Sequence, residues 1–222
     1  LASAFESARQ VIGPNWAVTA AWHGGADVAE YGGDRDRAET FLRQGLDKAR
    51  RGDIGLHVGM FGLRLVPYLL DEEDSGAASD LLMEAESALG SVNRLDDFYE
   101  PMIELRRLQV AAASGNVVEA AARLAGLLPD EVEDPPSFTL LIEELEVAGM
   151  LLASISDPLA SSVFAAVDRW NEKANAVPNP IAIRRRRTLL GRSQAIGDGE
   201  APELSEAVGI ARQALRNLLS NV

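Results

Sequence analysis

The chain contains no cysteine, so disulfides, thiolate nucleophiles and cysteine-ligated metals are excluded, and a reducing cytosol is compatible with it. Histidine is nearly as scarce, with only His23 and His57 and no HExxH spacing, so no metal site is expected. Aromatic residues make up 5% of the chain against 47% hydrophobic residues in all. A core built on so few rings must come from alanine, leucine and valine, which is the composition of packed helices. No apolar run reaches the roughly eighteen residues that a membrane helix needs, and no signal-peptide pattern is visible. Basic residues are outnumbered, 21 to 34, leaving a net charge of −13. That balance argues against nucleic acid as a ligand of the whole segment and otherwise serves solubility.

The signatures of common chemistries are missing too. No glycine run ends in Lys-Ser or Lys-Thr, no GxGxxG follows a strand, and no strand pattern is evident. Serines stand without a strand-turn-helix elbow. The acidic runs Asp71–Asp74 and Asp130–Asp134 lack the alternating ligands, central glycine and closing glutamate of a calcium loop. An acid/base pair would need a carboxylate held in an apolar cleft, and nothing in the sequence marks one. A non-catalytic chain without a cofactor is therefore expected.

What is present is a repeating helical pattern, seen most clearly from Trp22 to Leu46. Two amphipathic helices are joined there by Gly32-Gly33-Asp34. Glycine accepts the left-handed conformation a helix end requires, and Asp34 can cap the next helix. Ala38, Leu42, Gly45, Leu46 and Ala49 then recur on one helical face, with small side chains at 38 and 45 allowing close approach of a neighbour.

These residues resemble a tetratricopeptide (TPR) repeat, with Trp22 as the first-helix aromatic, Ala26 the small residue four on, Gly33-Asp34 the turn and Ala38 the small second-helix residue. Two positions depart from it, since Ala29 and Leu42 stand where the family carries aromatics. A second clear unit is 101–128, in which Gly115, Asn116, Glu119, Ala120, Leu124 and Leu127 repeat the spacing of Gly33, Asp34, Arg37, Ala38, Leu42 and Gly45. Aligning Ala38, Ala78, Ala120, Ala160 and Ala207 gives intervals of 40, 42, 40 and 47, longer than the roughly 34 residues of the standard unit. The longer period is similar to the degenerate TPR-like arrays of large LuxR-type and other multidomain ATPase regulators.

Along the rest of the chain, helices are expected over 2–12, 54–70, 76–90, 101–114, 117–128, 138–154, 158–175, 181–196 and 203–220, eleven in all with the two around Gly33. Gly, Asp and Pro breaks separate them. Pro67 should kink the nearly apolar helix 54–70. The expected fold is all-α: a right-handed α-solenoid of about five antiparallel pairs plus a leading helix. It forms one domain over 1–222, with units near 1–14 (a half), 15–52, 53–92, 97–134, 136–176 and 180–222. Leu1 is not a methionine and lies inside a helical pattern, so the sequence is expected to be a piece of a longer protein.

One local feature opposes the global charge. Arg184 to Arg187, with Arg192, open the helix expected over 181–196, where positive charge opposes the helix dipole by about 0.3–1 kcal/mol. Glu143, Glu144 and Glu146 on helix 138–154 can neutralise them, or an anionic partner can. Four successive residues span a full turn, so Arg184 and Arg187, three apart, should behave alike and differ from Arg185 or Arg186. The lysine and asparagine pattern of chaperone-tail-binding TPR domains is not recognisable. The candidate binding residues are Trp22, His23, Asp27, Arg106, Arg184 and Arg187, with His57 expected in the core.

The expected function is a cytoplasmic interaction or effector-sensing scaffold within a larger signalling or transcriptional regulator. Its partner is a protein, a peptide or another domain of the parent chain, and neither nucleic acid nor membrane. The alternative is an accessory helical domain of a multidomain enzyme whose catalytic groups lie elsewhere.

Overall fold

The computed structural model describes residues 16–91, 96–130, 132, 138–174, 180–190 and 201–220. Among these the regular structure is entirely helical: α1 (Trp16–Tyr31), α2 (Arg35–Arg51), α3 (Gly55–Asp71), α4 (Ser75–Gly90), α5 (Asp96–Ala113), α6 (Val117–Leu127), α7 (Phe138–Ser154), α8 (Leu159–Lys173), α9 (Pro180–Leu190) and α10 (Leu204–Ser220). The leading helix expected over 2–12 and the stretch 191–196 lie outside the described residues. None of the described helices is long and apolar enough to cross a membrane. The expected start of α5 at Pro101 is corrected to Asp96. Proline there forfeits only one hydrogen bond, to a carbonyl in the opening turn, and its fixed φ is already helical.

The same helix–helix turn closes five of these helices. Gly33, Asp53, Glu73, Gly115 and Ser156 all take the left-handed conformation, with φ of 73, 52, 61, 86 and 60°. In each turn the next residue's N–H donates to the carbonyl five back, as Asp34 does to Ala29 and Asp157 to Leu152, at 2.8–3.1 Å. The left-handed residue itself donates to the carbonyl three back at 2.9–3.2 Å. This is the Schellman arrangement, which satisfies the carbonyls a helix end leaves free. In four of the five the residue after the turn caps the next helix, and after Ser156 the next helix begins at Leu159. Asp34 and Asp74 accept from the N–H of Arg37 and Ala77, 3.1 and 2.9 Å away. The turns at 33, 53 and 73 are spaced by one helix, and those at 73, 115 and 156 by two.

The chain divides into two compact units, Leu1–Arg106 with Asn179–Ile181, and Arg107–Pro178 with Ala182–Val222. In the first unit α2 packs on α1, α3 on α2 and α4 on α3, and α1 also touches α3. Glycines set the approach. A Cβ on Gly45 of α2 would lie 2.4 Å from the Phe61 ring of α3, and one on Gly59 of α3 would lie 2.2 Å from Leu89 of α4. Phe41 of α2 sits against Gly25 of α1 in the same manner, 20 residues before the Phe61–Gly45 contact. Ala38 and Ala78, the expected small positions, are fully buried.

In the second unit α7 packs on α8, α6 on α7, and α10 on α6, α7 and α8. Phe164 of α8 fills the space that a Cβ on Gly149 of α7 would need. Arg212 of α10 donates to the Pro129 carbonyl at 3.1 Å and pairs with Asp130, which ties α10 to the end of α6. Ala120, Ala160 and Ala207 are buried here, as Ala38 and Ala78 are in the first unit.

Candidate functional site

Two rows of side chains meet where α1 touches α3. Helical spacing places His23, Asp27 and Glu30 along one stripe of α1, and His57, Phe61, Arg64 and Tyr68 along one stripe of α3. Arg64 is the only charged residue of α3 before Asp71, and it holds the rows together. Its Nη1 lies 2.7 Å from Asp27 Oδ1 and its Nη2 donates to Glu30 Oε2 at 2.8 Å. The Tyr68 hydroxyl donates to Glu30 Oε1 at 2.6 Å. Beyond Tyr68, Arg35 of α2 stacks on the ring 5.4 Å from its centroid and reaches Glu39 and Asp71 at 2.9 and 3.2 Å.

At the other end the rows become apolar. The His23 ring lies flat on Phe61, with centroids 3.7 Å apart and planes 2° from parallel. Arg64 Nη1 stands 3.5 Å from His23 Nδ1. A guanidinium can only donate, so Nδ1 is the acceptor and the ring proton is assigned to Nε2, a buried atom with no hydrogen-bond partner. His57 stands 5.8 Å from His23, and its Nδ1 is likewise buried without a partner. Burial, then the charge of Arg64 and then His57 push the His23 pKa down to about 3. Burial lowers His57 as well. The Tyr68 hydroxyl moves the other way, raised by burial and by its bond to Glu30. Both imidazoles are thus neutral near pH 7, and the exposed end of the face carries two carboxylates around one guanidinium.

Two of the residues singled out from sequence, His23 and Asp27, come together here, and Trp22 beside them on α1 faces α2. Trp22 is half-buried with its ring 5.7 Å from Phe41, His23 lies in the stack, and the Asp27 side chain is 48% exposed beside Arg64. Arg106 sits inside the first unit, buried, with its Nε donating to the Leu63 carbonyl at 3.0 Å. His57 is buried, as expected of a core or edge histidine, but its Nδ1 is not satisfied there. Glu30, Arg64 and Tyr68 were not singled out, although a lone arginine in an apolar helix, four residues before a tyrosine, is a signal the sequence carries.

The arginine cluster lies in the second unit. Arg186 is buried, pairs with Glu146 of α7, reaches Asp168 Oδ1 of α8 at 2.6 Å and sits 4.5 Å above the Phe164 ring. Arg184 and Arg187 are exposed and Arg185 half-buried. Because α9 begins at Pro180, Arg184 is already past the first turn, which removes most of the dipole penalty expected for the cluster. Asp168 was not foreseen as a partner; nothing in the sequence links it to Arg186. Burial raises the Glu146 carboxyl against the pull of Arg186. Glu144 is raised further, to about 7, by burial and then by Glu143, so the sequence did hold an unmarked perturbed carboxylate.

An open cleft of about 390 Å³ lies between α2 and α4 over α3, with Leu46, Leu65, Leu69 and Leu81 among its lining. Its rim arginines are already engaged, Arg50 with Glu84 at 2.7 Å and Arg43 with Glu39 and Glu72. Among the described residues no group of three or more His, Cys, Asp or Glu is placed to hold a metal ion. No protein-family model, curated protein or solved structure compared with the chain matches it.

Proposed function

We propose that the chain is a non-catalytic scaffold of TPR-like helical repeats that binds a protein or peptide partner, or another domain of its parent chain, through the α1–α3 face. The observation that carries the proposal is a repeated contact on the first helix of successive pairs. Arg64 and Arg106 each stand nine residues before the left-handed turn residue of their pair, Glu73 and Gly115. Each points back to a carbonyl ten residues before the left-handed residue of the preceding pair, Gly33 and Glu73: Arg64 to His23 at 3.5 Å, Arg106 to Leu63 at 3.0 Å. Equivalent residues making equivalent contacts one unit apart are what a stacked repeat requires, since each pair buries its apolar face only against its neighbours.

The stacking of five pairs as a right-handed solenoid extends that local repeat to the whole chain. Residence in a cytoplasmic signalling or transcriptional regulator follows from the resemblance to the long-period arrays. In such a repeat the first-helix side chains form the binding surface, and the half-exposed Asp27, with the less exposed Glu30 and Arg64 beside it, is the polar group the α1–α3 face presents. Trp22 borders the same surface, and the exposed Arg184 and Arg187 offer a second contact for an anionic partner. Asp27→Asn tests the assignment: association of the protein with its partner should weaken while the far-ultraviolet CD spectrum stays unchanged. Undiminished association would remove Asp27 from the surface.

A further inference from the structure

His23 and His57 are the only histidines in the chain, and both lie in the α1–α3 contact with a ring nitrogen buried and unpartnered. We propose that this contact is a proton-sensitive latch, closed while both imidazoles are neutral and loosened when His23 takes up a proton. The proposal goes beyond the binding role above and does not depend on what the face binds.

The surroundings leave a protonated His23 without compensation. One face of its ring is covered by Phe61, and its Nδ1 already meets the Arg64 guanidinium. On α1 the carboxylates that follow it, Asp27 and Glu30, are committed to Arg64, and Glu30 also accepts from Tyr68 of α3. From α2, Phe41 faces Trp22 and carries Arg37 over its ring, 5.6 Å from the centroid. Among the described groups, burial and then the charge of Arg64 disfavour a proton on His23, and His57 adds to them only when it is itself protonated. An imidazolium here would be buried beside a guanidinium with no acceptor for its Nε2 proton, whereas in the opened contact water solvates it.

The sign follows from linkage. A histidine whose pKa is depressed by folding contributes its full stabilisation above its ordinary value and loses it as pH falls. With the folded value at about 3, opening is favoured about tenfold for each pH unit between about 6.5 and about 3.

Two measurements on the intact chain test the latch. With two histidines present, side-chain NMR resolves both imidazoles, and neither should titrate near pH 6.5 while the chain is folded. In urea, the His23 contribution should shift the unfolding equilibrium toward unfolding by about 25-fold between about pH 7 and about pH 5, read as the difference between the unaltered protein and His23→Phe, so that the opposite contribution of Glu144 cancels. His23→Phe keeps a ring against Phe61 without a titrating nitrogen and should remove most of that shift. A His23 imidazole titrating near 6.5, or a His23→Phe protein with the same pH dependence, would overturn the proposal. Should His23→Phe fail to fold, the NMR titration of the unaltered chain decides alone.

Discussion

The Arg106 Nε donates to the Leu63 carbonyl at 3.0 Å, and the residue four beyond Leu63 is Pro67. An α-helix would satisfy that carbonyl with the N–H of residue 67, which proline lacks. A side chain from α5 therefore completes the hydrogen bonding of α3 at the position where its own backbone cannot.

This relationship predicts a rescue. Arg106→Met should leave the buried carbonyl unsatisfied and destabilise the protein by about 1–3 kcal/mol. Adding Pro67→Ala restores an N–H at the right place, so the double variant should recover part of the loss in urea unfolding. Strictly additive single effects would mean the two residues are not coupled.

The close approach of α2 and α3 depends on Gly45. A methyl group there would enter the Phe61 ring, so Gly45→Ala should destabilise by about 1–3 kcal/mol despite alanine's better helix propensity. Gly126, where an added Cβ meets nothing, serves as the control: Gly126→Ala should be neutral or stabilising by thermal unfolding.

The arginine cluster should split. Glu146→Ala takes one of two carboxylates from the buried Arg186 guanidinium, leaving Asp168, and should destabilise by about 1–3 kcal/mol, whereas replacing Arg186 and Glu146 together with apolar residues should recover much of the loss. Charge reversal at the exposed Arg184 or Arg187 should change stability by less than about 1 kcal/mol. Equal effects at 184, 186 and 187 would contradict the buried pairing.

Glu144 gives a pH dependence of opposite sense to that of His23. Its folded pKa is raised from 4.5 to about 7, so its contribution to stability is fully present below about 4.5 and is lost as pH rises through about 7. Glu144→Gln mimics the protonated form and should stabilise the protein above about pH 7 by about 1–2 kcal/mol, reduced because the group meets some solvent. No difference between Glu144→Gln and the unaltered protein above about pH 8 would contradict this assignment.

The helical class was legible because period and breakers agreed, and the buried alanines from Ala38 to Ala207 were legible because a small residue recurred at one point after each turn. Three of the turns were harder to read. Asp53, Glu73 and Ser156 take a conformation usually signalled by glycine, and the backbone hydrogen bonds of the turn close there without one. Site contacts were hardest, since they join side chains from different helices. Arg106 could be found as a charged residue in a first helix, but its bond to Leu63 depends on a missing N–H some forty residues earlier. The Arg64 bridge to Asp27 and Glu30 depends on which faces α1 and α3 turn toward each other. Periodicity places residues on a face but does not choose the face's neighbour.

The central claim, that the α1–α3 face binds a polypeptide, is tested most directly by site-specific photo-crosslinking of the protein in the cells that produce it. A photoreactive residue at position 27 is compared with one at Met83, an exposed position on α4. A discrete polypeptide adduct from position 27, missing from position 83 and suppressed by Arg64→Ala, is the result the account predicts. Adducts from position 83 alone, or none from position 27 in a protein shown to be folded, would contradict it.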